Sequence, residues 1–186
     1  MTAKKTREKP EEDSRIKTCL TSGKVITEDS DLARELYNQS RFGIVLENKK
    51  VQLSLIEALY LIEKDKIRVC LDKKKLGFEE LMKKAEKREA NIWTRFLVFK
   101  DLRNRGYIVK TALKFGADFR VYDRGVKPGE DHAKWIVYPV NEEESLTWYE
   151  FAAKNRVAHS TKKRLLIAIV DAECDVTYYE IKWTRP

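Results

Sequence analysis

The 186-residue chain lacks long hydrophobic runs and the usual signals of export. No apolar stretch approaches the roughly 20 residues that a membrane-spanning helix needs. Met1–Asp13 combines basic and acidic residues without the apolar centre of a secretory signal. We therefore expect a cytoplasmic protein with no membrane association, and a flexible tail over residues 1–13.

Residues that bind metals or form disulfides are also scarce. Cys19, Cys70 and Cys174 are widely separated and form no Cys-x-x-Cys pair, and there are only two histidines, His132 and His159. This pattern excludes a zinc knuckle and a disulfide framework. Because no clear carboxylate–histidine cluster is present either, we expect no metal and no other cofactor.

Charge and apolar content are both high. Lysine and arginine number 38 against 30 acidic residues, a net charge of +8, and 42% of residues are hydrophobic. The apolar content is enough for a packed core, and the basic excess suits an anionic partner such as nucleic acid. Most of that excess lies before residue 100, and a heat-adapted surface of ion pairs would also explain a high charge density.

The first half of the chain predicts a small α+β domain over residues 14–87. It contains a strand pair over Ile16–Ile26 and a hairpin flanking the polar Asn48–Lys50. Ser54 and Glu57 form a capping-box pattern before an apolar helix, and Phe78–Lys87 predicts another helix. We expect this domain to be structural or to hold subunits together.

The second half, residues 88–186, predicts an α/β domain with a mixed sheet. Its helices are predicted at Glu89–Arg105 and after a Thr147/Glu150 capping box. Its strands are predicted at Tyr107–Thr111, Phe115–Tyr122, Trp135–Val140, Leu165–Val170 and Val176–Trp183. The apolar run Leu165–Val170 is typical of a central strand covered on both faces. The fold class is therefore α/β, with an α+β N-terminal domain.

Three polar residues of this second half could form an acid–base site. Tyr122 ends a strand on its polar face, His132 follows a glycine turn, and Lys163 precedes the apolar strand. Each is more often an ordinary surface residue. Together they are the base, acid and cation that cleave RNA by attack of a 2′-hydroxyl on the adjacent phosphate. That reaction needs neither a metal nor an external nucleophile.

Several ordered motifs closely resemble the short-chain form of the archaeal tRNA-splicing (tRNA-intron) endonuclease family. They are Leu53–Leu61, Leu76–Leu81, Lys100–Lys110, Phe115–Gly125 with His132, and Arg156–Ser160 with Lys163 and Leu165–Asp171. The likeness covers nearly all of residues 89–186 and parts of the first half. It is more specific than any one of these motifs alone.

The resemblance implies a metal-independent endoribonuclease that removes introns from precursor tRNA at bulge–helix–bulge motifs, leaving 2′,3′-cyclic phosphate and 5′-hydroxyl ends. By position, Tyr122 would be the general base, His132 the general acid and Lys163 the residue that stabilises the transition state. Arg156, and Arg185 near the C-terminus, would bind a bulged base at the neighbouring active site. Asp118 and Arg120 would be framework residues.

The same resemblance implies four subunits, either identical or paired with a non-catalytic sister chain. Dimers would form through the strand Val176–Trp183. The acidic loop Asp171–Asp175 would then enter a basic pocket of another dimer, so we predict a homotetramer.

Two other functions remain open. One is a catalytically silent RNA-binding or scaffold subunit of the same assembly. The other is a DNA nuclease, which would need a Mg²⁺-binding carboxylate cluster for which Asp118 and Asp123 are a sparse beginning.

Overall fold

The computed structural model describes residues 15–112, 116–129 and 131–184. These residues form two sheets and five helices. The predicted tail, Phe115 of a predicted strand, and Arg185 lie outside the described residues. None of the described helices is both long and apolar enough to cross a membrane.

The first sheet has six strands in the order β3-β4-β2-β1-β5-β6. They are β1 (Ile16–Thr21), β2 (Lys24–Thr27), β3 (Ile44–Val45), β4 (Val51–Leu53), β5 (Ile67–Leu71) and β6 (Lys74–Leu76). Only the β1–β5 pair is parallel. Three helices belong to this half of the chain: α1 (Asp31–Ser40), α2 (Leu55–Glu63) and α3 (Phe78–Glu86).

The second sheet has five strands in the order β11-β10-β9-β8-β7. They are β7 (Ile108–Thr111), β8 (Phe119–Tyr122), β9 (Trp135–Asn141), β10 (Arg164–Val170) and β11 (Val176–Ile181). Helix α5 (Trp148–Ser160) connects β9 to β10, and these two strands are parallel whereas the other pairs are antiparallel. The predicted mixed sheet is confirmed.

Local sequence signals explain most of these elements. Ser54 and Glu57 form the capping box of α2, and Thr147 and Glu150 form that of α5, as predicted. Strand β10 lies between β9 and β11, and every residue of its apolar run Leu165–Val170 except Ile169 is buried. Its continuous hydrophobic sequence therefore reflects cover on both faces of the sheet.

Helix α4 (Ile92–Asn104) lies in the core that both sheets share. It packs on α2 on one side and on β7, β9, β10 and β11 on the other. The ring of Phe99 lies 5.9 Å from that of Phe119 on β8. One continuous apolar cluster therefore runs from the first sheet through α4 to the second.

Several predicted boundaries differ from the structure, and the largest difference is that β8 begins at Phe119 rather than at Phe115. Helix α4 begins at Ile92 rather than Glu89, because Asn91 has a left-handed backbone (φ 52°) that a helix cannot include. The last strand ends at Ile181, two residues before Trp183. The ring of Trp183 lies instead 4.8 Å from that of His159 on α5.

Candidate active site

Tyr122, His132 and Lys163 line a single pocket of about 380 Å³. Its remaining lining residues are Arg120, Gly129, Asp131 and Ala133. The three residues singled out from the sequence are therefore brought together by the fold, although they belong to three separate segments.

Strand topology explains why these segments meet. Strands β9 and β10 are parallel, and Trp135 at the start of one pairs with Arg164 at the start of the other. His132 and Lys163 each precede one of these strands and so lie at the same end of the sheet. Strand β8 is antiparallel to β9, so its last residue, Tyr122, also lies at that end.

Tyr122 is on the face of β8 that points away from the main core. Phe119 and Val121 are fully buried in the cluster shared with α4, and alternation places Arg120 and Tyr122 on the opposite face. Tyr122 is only 5% exposed but belongs to neither apolar cluster. Tyr122 therefore faces the pocket rather than open solvent.

His132 is exposed on the segment between β8 and β9. Its backbone N–H donates to Asp131 Oδ1 at 2.6 Å. Lys134 anchors the segment twice, since its N–H donates to the Val121 carbonyl at 2.9 Å and its Nζ pairs with Asp123 Oδ2 at 2.6 Å. These contacts hold the returning segment against β8 and keep His132 near Tyr122.

Lys163 lies three residues beyond the end of α5. Lys162 takes a left-handed conformation (φ 55°), and the Lys163 N–H donates to the Ala158 carbonyl at 2.9 Å. Nζ of Lys163 donates to the Thr161 carbonyl at 2.9 Å. Of the three consecutive basic residues only Lys163 lines the pocket, because Lys162 is exposed and Arg164 pairs with Glu180 at 3.1 Å.

One of the two predicted base-binding arginines, Arg156, lies among the described residues. Arg156 is exposed on α5 and is not among the lining residues. This position agrees with the expectation that it acts at a neighbouring site, but does not test it. Arg185 lies outside the described residues.

The two predicted framework residues, Asp118 and Arg120, lie in different environments. Asp118 lies 2.7 Å from Nε of Arg95, which also contacts Glu89 at 2.6 Å. Burial raises the pKa of Asp118, and the charge of Arg95 opposes that shift. Arg120, in contrast, lines the pocket. The alternation of β8 could have indicated this, because Arg120 and Tyr122 are two residues apart and share a face.

Carboxylates are sparse around the pocket, and Asp131 is the one acidic side chain among its described lining residues. In the ranges that the structure describes, no three His, Cys, Asp or Glu side chains come together as a metal site would require.

A second, larger groove of about 720 Å³ lies between α1, the end of α2 and strand β7. Four basic residues line it: Lys64, Lys66, Arg103 and Lys127. Arg103 donates to the carbonyls of Ser40 at 2.7 Å and Tyr107 at 3.3 Å. Burial lowers the pKa of Arg103 to about 10, which leaves it charged at neutral pH.

Comparison with known protein families gives two matches along the chain. The N-terminal domain of the tRNA intron endonuclease family matches residues 16–82. The catalytic C-terminal domain of the same family matches residues 92–178, which include Tyr122, His132 and Lys163.

Individual relatives match over nearly their whole length. The tRNA-splicing endonuclease of Thermococcus kodakarensis is 44% identical over 166 residues, which are 89% of this chain and 96% of the relative. That of Methanothermobacter thermautotrophicus is 40% identical over 92% of this chain and 99% of the relative. That of Nanoarchaeum equitans is 47% identical over 73% of this chain and 90% of its own.

Proposed function

Since the chain belongs to the tRNA intron endonuclease family, we propose that it cleaves precursor tRNA at both boundaries of an intron, within a bulge–helix–bulge motif. The observation that carries this proposal is the single pocket lined by Tyr122, His132 and Lys163. A phenol, an imidazole and an ammonium group in one pocket are the groups that phosphodiester transfer within RNA requires.

The reaction would begin when Tyr122, in its phenolate form, takes the proton of the 2′-hydroxyl as general base and becomes a neutral phenol. The 2′-oxygen then forms a bond to the adjacent phosphorus while the bond from phosphorus to the 5′-oxygen breaks. His132, as general acid, gives a proton to the departing 5′-oxygen. Lys163 stabilises the negative charge of the phosphorane. The products are a 2′,3′-cyclic phosphate and a 5′-hydroxyl, and no metal takes part.

Substrate binding would extend beyond one subunit. We assign to Arg156 the role of holding a bulged base at the active site of a neighbouring subunit, because it is exposed on α5 and lies outside its own subunit's pocket. Arg185 is proposed as its partner from the sequence alone.

The proposed assembly is a homotetramer, with a heterotetramer including a sister chain as the alternative. Dimers would form through β11, which is an edge strand. The strand carries Tyr179 and is followed by Trp183, and each of these two side chains is 56% exposed. The loop Asp171–Asp175, whose last four residues are exposed, would insert into the basic groove of another dimer. The four basic residues of that groove complement the acidic charges of the loop.

The proposal includes a domain division and a location. Residues 1–13 would form a tail, residues 14–87 the N-terminal domain, and residues 88–186 the catalytic domain. Each sheet falls within one of the two proposed domains. The site of action would be the cytoplasm.

A direct test incubates the purified chain with an intron-containing precursor tRNA in EDTA. We expect two cuts, with the ends described above. Tight binding without cleavage would instead support the scaffold function. Cleavage only after Mg²⁺ is added would contradict the proposed mechanism.

A further inference from the structure

We infer that Arg120 is a fourth functional residue of the pocket, where its guanidinium group binds the phosphate that is cleaved. This inference rests on the proposed function and adds a phosphate-binding residue to it. Arg120 lies two residues before Tyr122 on β8, and both line the pocket with His132 and Lys163. The guanidinium carbon of Arg120 lies 6.0 Å from the centre of the Tyr122 ring.

The neighbours of Arg120 in the sheet give it no negative partner. It pairs with Lys110 on β7 and with Ile136 on β9. Lys110 is committed elsewhere, since it contacts Glu57 at 3.6 Å and the Gly43 carbonyl at 2.6 Å. Burial is the main cause that lowers the pKa of Lys110, and the positive charge of Arg120 contributes to the same shift. Two cations therefore lie close together on one sheet face.

One nitrogen of Arg120, Nε, is also unsatisfied as a hydrogen-bond donor. Its Nε is buried and has no acceptor, and within the described ranges its side chain forms no ion pair. A buried donor without an acceptor destabilises a fold, and such groups are rare in native structures. A half-buried arginine whose guanidinium group has no ionic partner among the described residues is more readily explained by an anion that arrives from outside.

The chemistry of the pocket identifies that anion as a phosphodiester. The planar guanidinium fork can donate to two phosphate oxygens at once, whereas the ammonium group of Lys163 acts as a point charge. During 2′-hydroxyl attack, negative charge accumulates on the non-bridging oxygens of the same phosphate. Arg120 and Lys163 together would neutralise this charge while Tyr122 and His132 transfer the protons.

The test compares Arg120→Met with Arg124→Met. Methionine keeps much of the aliphatic stem and removes the charge, and Arg124 is an exposed arginine outside the pocket, 5.0 Å from the Tyr107 ring. We expect Arg120→Met to slow single-turnover cleavage of a bulge–helix–bulge RNA in EDTA about 100-fold. Arg124→Met should stay within about threefold of the wild type, as expected for a surface change.

Thermal unfolding separates a phosphate-binding role from a framework role. Because Arg120 has no ionic partner among the described residues and lies near Lys110, we expect Arg120→Met to melt at or above the wild-type temperature without RNA. A melting temperature about 5 °C or more below the wild type would overturn the inference, because it would indicate a structural role. A cleavage rate within about threefold of the wild type would overturn it equally.

One further variant and one sulfur-substituted RNA extend the test. Arg120→Lys should restore part of the lost rate, because lysine keeps the charge but not the fork. Sulfur in place of one non-bridging oxygen should slow the wild type for one stereoisomer more than the other, and Arg120→Met should lose that difference. If the difference persists unchanged, Arg120 does not contact the phosphate. If the wild type itself fails to cleave, the proposed function is wrong rather than this inference.

Discussion

Glu57 of α2 and Lys110 of β7 form an ion pair, 3.6 Å apart, between a helix of the first half of the chain and the edge strand of the second sheet. Both side chains are nearly buried. Glu57 also accepts hydrogen bonds from the N–H groups of Gly43 at 2.8 Å and Ser54 at 2.9 Å. Lys110 donates to the Gly43 carbonyl. This network joins the two halves of the chain beside the strand that pairs with β8.

Loss of Lys110 should therefore destabilise the fold. Lys110→Met leaves the buried Glu57 carboxylate without its cation, and we expect the free energy of unfolding to fall by about 3–5 kcal/mol. Lys75→Met, at an exposed position on β6, should change it by about 0.5 kcal/mol or less. Denaturant titration measures both. Equal stability of the two variants would show that the ion pair does not hold the two halves together.

Glu57 also illustrates what a sequence can and cannot reveal. The Ser54–Glu57 capping box was predictable because its two residues are three positions apart and obey a local rule. The contact of the same carboxylate with Lys110 was not, because it joins residues far apart in the chain. The same distinction applies to Arg120, whose face was predictable but whose lack of an ionic partner among the described residues depends on β7 and β9.

The active site follows the same division. The face of Tyr122 and the loop position of His132 could be predicted from alternation and from the glycine turn. Their meeting with Lys163 depends on β9 and β10 being parallel neighbours, which no local pattern indicates. The sequence predicted a basic pocket but not which residues line it, because Lys64 and Lys127 come from distant segments.

The acid role of His132 can be tested against the other histidine. His132→Ala should slow single-turnover cleavage about 10²- to 10⁴-fold, the usual contribution of a general acid, with the melting temperature unchanged. His159→Ala is the matched control, because His159 contacts Trp183 outside the pocket. Normal cleavage by His132→Ala would show that the acid is a different group.

Lys163→Ala should change the cleavage kinetics in a different way. Lys163 is proposed to stabilise the transition state rather than transfer a proton. We therefore expect cleavage to slow about 10²- to 10³-fold while the shape of the pH–rate profile is kept. Lys162→Ala, at the exposed neighbouring position, should cleave as the wild type does. Equal losses in the two variants would indicate a general effect of basic charge on RNA binding.

Charge reversal in the acidic loop tests the assembly. Asp171 shapes the turn, since its Oδ1 accepts from the Asp175 N–H at 2.8 Å, so it is left unchanged. The double variant Glu173→Lys/Asp175→Lys should convert tetramers to dimers in light scattering, because lysines would face a basic groove. Glu143→Lys/Glu144→Lys, in the exposed turn after β9, is the matched control. An unchanged mass of the first variant would remove this loop from the interface.

Alkaline unfolding should depend on Tyr178. Its hydroxyl donates to Asp101 Oδ2 at 2.7 Å, and burial, together with this hydrogen bond, raises its pKa above the ordinary value. A raised folded-state pKa gives stability that is complete below the unfolded pKa of about 10 and is lost as pH rises above it. Tyr178→Phe should therefore lose stability less steeply than the wild type above about pH 10.

The control for that variant is Tyr149→Phe, on α5 and 78% exposed. It should keep the wild-type pH dependence. At neutral pH, Tyr178→Phe should lower the free energy of unfolding by about 1.5–3 kcal/mol, the range for a hydrogen bond to a charged group. Parallel stability curves for Tyr178→Phe and the wild type across the alkaline range would contradict the assignment.

The central claim is that the Tyr122 pocket cleaves RNA through the 2′-hydroxyl beside the scissile phosphate. Its most direct test uses a bulge–helix–bulge RNA in which that one hydroxyl is replaced by hydrogen, compared with the unmodified RNA in EDTA. We predict that the unmodified RNA is cut to a 2′,3′-cyclic phosphate and a 5′-hydroxyl, whereas the deoxy-substituted RNA is bound but not cut at that position. Cleavage of the deoxy-substituted RNA at the same position would contradict the account.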